Sequence, residues 1–305
     1  MFVARPPAGP PRHRDRDLHL VRAVRGSFTG PAEFLADPAN RARVGEYLAD
    51  MARPYAREVP AALFGESPSP ALGHSYGEIA EALIGSAVSA EEPVDLLVLA
   101  FSIHDLWPGR QTAAYLSHLT PGAPLAFAVC DQGPAAAFSG LRIARAYASS
   151  AAIRRALLIV VEQAALPYSS PVTLPSQHRG VAMLFGDGPV PKARVAALRQ
   201  HSGVPPGGAA GIAAADLAEL AASHHEVGLV LGDALAAVWA APAAARVMPP
   251  GQPSTGVWWG LIDELTSDAG HPDLLVAADY DPGLRYLCLT AFDTGPCSSQ
   301  AEPPH

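Results

Sequence analysis

Lysine is all but missing from this chain. Lys192 is the only one, and arginine carries the rest of the basic charge. Charged residues are 16% of the 305, and the net charge is -8. So sparse and net negative a surface excludes general affinity for phosphate backbones or anionic membranes, and neither nucleic acid nor membrane is expected as a partner. Asparagine occurs once, as Asn40. Cysteine occurs three times, at Cys130, Cys288 and Cys297, without close spacing. That pattern excludes a disulfide framework and a zinc cluster, so no metal is expected and a reducing cytoplasm fits. No apolar stretch reaches membrane-spanning length without interruption. The opening MFVARPPAGPPRHRDRD has no apolar core and does not read as a secretory signal.

What the chain does have is apolar residues, 49% of the total, enough for one large core or two fused halves. Val94 to Phe101 reads as a strand buried on both faces and Arg155 to Glu162 as another buried strand, with further strands over Leu125 to Val129 and Gly180 to Phe185. Between them, Ser75 to Val88, Gln111 to Leu119 and Ala135 to Ala148 have helical character, with Ser75 and Glu78 placed for a capping box. Residues 191–293 repeat the series in shorter form: a strand over Ala193 to Arg199, a Pro/Gly loop over Val204 to Gly211, a helix over Ala213 to Ala222 and a strand over Val227 to Leu231. Helices over Ala234 to Ala240 and Gly256 to Thr266 follow, then strands over Asp273 to Ala278 and Tyr286 to Phe292. Alternating strands and helices predict an α/β fold. The expected organisation is a flexible arm over 1–17, one half over 18–190, a shortened half over 191–293 and a disordered tail over 294–305.

The chain is organised around Val94 to Tyr147 and its centre, Cys130. The pattern there is strand, sharp turn, helix. A thiol at a helix N-terminus is expected to ionise more readily. A buried structural cysteine is the alternative reading.

Five blocks stand in order: SIHDLWPGRQTAAYL from Ser102, Leu125 to Ala144 around Cys130, Arg155 to Glu162, LFGDG from Leu184, and Tyr280 to Leu289. Together they resemble ketoacyl synthase III and its thiolase-fold relatives. The resemblance implies a thiolase fold, two pseudo-duplicated halves in an αβαβα layering. It also implies a Cys-His-Asn triad with an oxyanion hole of backbone N–H groups, and no cofactor. Cys130 falls in the nucleophile place. For the histidine, family spacing selects His224, with His225 beside it, whereas element order selects Gly232 or Asp233 after the strand. Ser254 takes the place of the asparagine. In the oxyanion loop Pro282 falls at the donor position and has no N–H, and a one-residue slip would make Gly283 the donor. Trp107 matches an aromatic that lines the partner's acyl pocket across a dimer, with simple core packing as the alternative. Asp187 and Glu162 read as structural.

The resemblance implies an acyl-thioester transferase or condensing enzyme of specialised metabolism. Cys130 would take an acyl group from coenzyme A or an acyl carrier protein, with His224, His225 or Asp233 as base. The alternative is a catalytically impaired subunit paired with a complete ketosynthase-like partner. The assembly is accordingly a homodimer or a heterodimer.

Overall fold

The computed structural model describes residues 17–65, 72–107, 111–150, 152–166, 168, 174–188, 192–240, 242–267 and 270–295. The expected arm and tail lie outside these residues except for Asp17, Thr294 and Gly295, as do Pro108 and Cys297.

The first half contains β1 (His19–Phe28), α1 (Pro38–Ala52), α2 (Tyr76–Ala87), β2 (Leu96–Ala100), α3 (Thr112–Leu119), β3 (Leu125–Val129), α4 (Ala135–Ser149), β4 (Arg155–Glu162) and β5 (His178–Gly186). The second contains β6 (Ala193–His201), α5 (Pro206–Ala221), β7 (Val227–Leu231), α6 (Asp233–Val238), β8 (Arg246–Val247), α7 (Gly256–Leu265), β9 (Leu274–Asp281) and β10 (Tyr286–Asp293). Ser75 and Glu78 form the capping box that starts α2.

The strands run β3-β2-β4-β5-β1-β6-β10-β9-β7-β8. Read from either end, the order within each half is third, second, fourth, fifth, first. Orientation repeats as well. β2 is parallel to β3 and β4, as β7 is to β8 and β9. β5 is antiparallel to β4 and β1, as β10 is to β9 and β6. The halves join by a short antiparallel contact, His19 opposite Arg194 and Leu20 opposite Ala193.

Five layers follow from the period-two alternation of the strands. One set of side chains, such as Leu97, Leu99 and Ile159, packs outward on α2 and α3. The other, such as Val98, Leu158 and Val160, packs inward on the central helices α4 and α7. The second half covers its outer face with α5 and α6, burying Ala209, Ala213 and Leu235. Phe138 of α4 and Trp258 of α7 meet with ring centroids 4.8 Å apart. Such a pair contributes about 0.5–1.5 kcal/mol beyond its burial. The duplicated five-layer architecture expected from the sequence is the one the chain builds.

One local expectation is corrected, and one strand is added. The Pro/Gly stretch over Val204 to Gly211 is largely helix, because α5 starts at Pro206. Proline at a helix start has the right φ and lacks only an N–H that would go unpaired there. The two-residue strand β8 is too short to leave a periodic trace.

Candidate functional site

The parallel strands of both halves end at a cavity of about 180 Å³ between the entrances of α4 and α7. Gly133, Pro134, Ser102, Glu162, Ser254 and Asp281 line it.

Glu162 is the last residue of β4 and is 3% exposed. Its carboxylate accepts from the Ser254 N–H at 2.5 Å and from the Thr255 hydroxyl. It thereby closes the entrance of α7, which has no side-chain cap of its own. Burial pushes the Glu162 carboxyl up, against the pull of these donors and of Arg179. Ser254, in the asparagine place, is buried, and its hydroxyl lies 3.1 Å from that of Ser102.

Asp281, the last residue of β9, stands over Gly133. A Cβ added at Gly133 would lie 2.3 Å from Asp281 Oδ2, and the glycine has φ +53°. Asp279, two residues earlier, stands over Gly232 in the same way. A Cβ there would lie 2.0 Å from Asp279 Oδ1. Gly232 directly follows β7 and precedes α6. Burial pushes the Asp279 carboxyl well up, and the Asp233, Glu162 and Asp281 charges add to the shift.

Cys130 is not among the residues lining this cavity. It is exposed, directly after β3 and five positions before the first residue of α4. The expectation of a readily ionised thiol is corrected. Partial burial and the Asp131 carboxylate, 3.5 Å from Sγ, push the Cys130 thiol up. A helix dipole acts within its first turn, and the adjacent negative charge opposes it. The residues at the α4 entrance that line the cavity are Gly133 and Pro134.

His224 is not among the residues lining this cavity. It precedes β7, with Nδ1 3.1 Å from the Leu220 carbonyl oxygen. The cavity lies beyond the other end of that five-residue strand, about 16 Å away at ~3.3 Å per residue. His225, exposed, shares that end. Asp233, the first residue of α6, is on the cavity side, close enough to influence Asp279.

The Gly283 N–H donates to Asp281 Oδ1 at 2.8 Å, as the Leu284 N–H does at 2.9 Å. The loop's amides therefore bind their own aspartate, and the expected oxyanion donor is occupied. Trp107 stacks on Phe34 of the same chain, with centroids 4.1 Å apart and planes at 21°. It lines a different, outer cleft.

Sequence reading passed over Asp279 and Asp281 and took Glu162 as merely structural. The available signal was a pair of carboxylates closing an apolar strand, LLVAADYD. No group of His, Cys, Asp and Glu among the described residues is placed to hold a metal ion. No described helix is long and apolar enough to cross a membrane.

No protein-family model matches the chain. No curated protein matches it in sequence. Solved structures do match. 3-Oxoacyl-(acyl carrier protein) synthase III, FabH, from Pseudomonas aeruginosa superposes with TM-score 0.59 at 14% identity, covering 91% of this chain and 98% of its own. The chain has the thiolase fold. The tetronic acid condensing enzyme AbyA1 gives TM-score 0.60 at 14% identity, over 90% of this chain and 99% of its own. ChlB3, an acyltransferase, gives 0.57 at 18%, over 92% and 98%. The thiolase fold accounts for the duplicated strand order and for a cavity where the two halves meet.

Proposed function

We propose that this thiolase-fold chain serves acyl-thioester metabolism as the catalytically impaired subunit of a ketosynthase-like heterodimer. One observation carries the reading. The two strand-to-helix turns from which a nucleophile and a base would reach the cavity hold Gly133 and Gly232, and Asp281 and Asp279 fill the space their side chains would need. The serine in the asparagine place and the occupied Gly283 N–H support it. The partner supplies the Cys-His-Asn triad and takes acyl groups from coenzyme A or an acyl carrier protein.

A surface for such a partner lies along β3, which ends the sheet and has β2 as its one neighbour among the described strands. Leu125 on that edge is 54% exposed. An edge strand offers a row of backbone donors and acceptors to a second chain. A cytoplasmic setting goes with this reading, and Cys130 and Cys288 are both free thiols.

Accessibility favours a second reading, in which the exposed Cys130 thiol accepts acyl groups itself. Intact-mass measurement separates the two. The purified chain is incubated with acetyl, malonyl and longer acyl thioesters of coenzyme A and of an acyl carrier protein. The first reading expects no adduct, together with co-purification with a complete ketosynthase that is lost in Ala128→Pro on β3. An acyl adduct that disappears in Cys130→Ala overturns it and establishes the second.

A further inference from the structure

The inner cavity, between the entrances of α4 and α7, holds negative charge without a cation to answer it. Its described lining includes two carboxylates, Glu162 and Asp281, and no lysine, arginine or histidine. Negative charge gathers there, since the Asp233, Glu162 and Asp281 charges all bear on Asp279. Arg179, whose charge acts on Glu162, lies over the Trp259 ring, 4.4 Å from its centre, and is not among the lining residues. Charge held away from water is costly unless it is paired.

Three acceptors in the wall have capacity to spare. Asp281 uses Oδ1 for the Gly283 and Leu284 N–H groups. Its Oδ2, the oxygen over Gly133, has no donor among the described residues. Gln163 is 2% exposed. Its amide nitrogen donates to the Leu72 carbonyl oxygen at 3.4 Å, and its Oε1 has no donor among the described residues. A buried acceptor left in this way calls for a partner from outside the chain. The Ser102 and Ser254 hydroxyls, 3.1 Å apart, share one hydrogen bond and keep lone pairs open. The remaining polar groups are engaged. The Tyr76 hydroxyl donates to the Ile103 carbonyl oxygen at 2.7 Å, and Glu162 accepts at the entrance of α7. Ile103, Val161, Pro134 and Pro253 make the rest of the wall apolar.

We infer that the inner cavity binds a small primary ammonium compound, with its nitrogen at Asp281 Oδ2, Gln163 Oε1 and the serine pair, and its short body against Ile103 and Val161. An ammonium group has three N–H donors and no acceptor, which answers three open acceptors. At about 30 Å³ per water-sized atom, a cavity of about 180 Å³ holds roughly six non-hydrogen atoms. The inference rests on the impaired-subunit reading, in which Asp281 takes the space of a reactive side chain. The two fail separately. An acyl adduct on Cys130 overturns that reading and leaves the Asp281 carboxylate in the cavity. Absence of ammonium binding leaves Gly133 and Gly232 covered as they are.

The test titrates the full chain with n-butylamine at pH 7, where an aliphatic amine is protonated, and follows ligand NMR signals and thermal melts. 1-Butanol is the uncharged analogue. Tetramethylammonium is a cation of equal atom count without N–H donors, and butanoate carries the opposite charge. The expected result is saturable one-to-one binding of butylammonium with Kd about 1 mM, and binding at least tenfold weaker for the other three. Asp281→Asn keeps the shape, removes the charge and weakens butylammonium about tenfold. Gln163→Met removes the second acceptor and weakens it several-fold. Melting curves show which variants fold, and either folded variant suffices. Failure of butylammonium to saturate overturns the inference, as does affinity unaltered in the folded variants. Equal affinity for tetramethylammonium or 1-butanol overturns it as well.

Discussion

Asp281 occupies the space that a side chain at Gly133 would need, 2.3 Å from the position of its Cβ. Gly133→Cys is therefore expected to destabilise the fold by about 1–3 kcal/mol, through the clash and through a non-glycine residue at φ +53°. Asp281→Gly in the same chain recovers the part due to the clash. Urea unfolding of the two single variants and the double variant measures the coupling, and additive effects would show that the two residues do not compete for space.

The contribution of Asp279 to stability should fall as pH rises above about 4. Asp279 has a raised folded value against an ordinary 3.8, so the folded protein keeps a proton that the unfolded chain has released. Its contribution is complete below 3.8 and is lost as pH climbs through the folded value. Glu162 acts with the same sign. Asp279→Asn removes part of the decline, and urea midpoints at pH 5 and pH 8 should lie closer together in that variant than in the parent.

His178 works in the opposite direction. Burial, and then the nearby His74, hold its imidazole down to about 4 from 6.5. The unfolded chain takes up a proton between those values that the folded one refuses, so stability is lost as pH falls from about 6.5 towards 4. His178→Gln should flatten the acid side of the profile in thermal melts between pH 4 and 7. An unchanged acid slope would count against the neutral, half-buried imidazole.

Cys130 should alkylate slowly. Its thiol is pushed up by partial burial and by Asp131. Iodoacetamide at pH 7 should therefore modify it more slowly than free cysteine, and Asp131→Asn should speed the reaction several-fold. Cys288, buried and pushed up to about 12, should stay unmodified in the folded protein. Peptide mapping over time in a Cys297→Ser background reads both rates.

Removing the Glu162 carboxylate strands the Ser254 N–H and the Thr255 hydroxyl in a buried place. Glu162→Ala should cost about 2–4 kcal/mol and Thr255→Val about 1 kcal/mol, measured by thermal or urea unfolding.

The sequence was most legible where burial is continuous. β4, buried over all but its first residue, and β3, an edge strand, both have the limits read from their apolar runs. The capping box at Ser75 was legible because its two partners are three residues apart. The start of α5 was hidden by a proline that also suits a loop. In the site, the order of elements was readable but the orientation of each turn was not. Cys130 and Gly133 belong to one tetrapeptide turn, and only the three-dimensional path decides which faces the cavity. Asp279 and Asp281 act across more than forty positions on Gly232 and nearly 150 on Gly133, a relation that no local pattern encodes.

The duplicated strand order makes Glu162 and Asp281 counterparts, each the last residue of the fourth strand of its half. Glu162 accepts hydrogen bonds at the entrance of α7, which belongs to the other half, and Asp281 stands over Gly133 just before α4. Each half thus sets one carboxylate at the entrance of the other's inner helix. Either half expressed alone would lack that carboxylate, and the first half's Glu162 is the one that hydrogen-bonds across, where the strand contact between the halves is two residue pairs long.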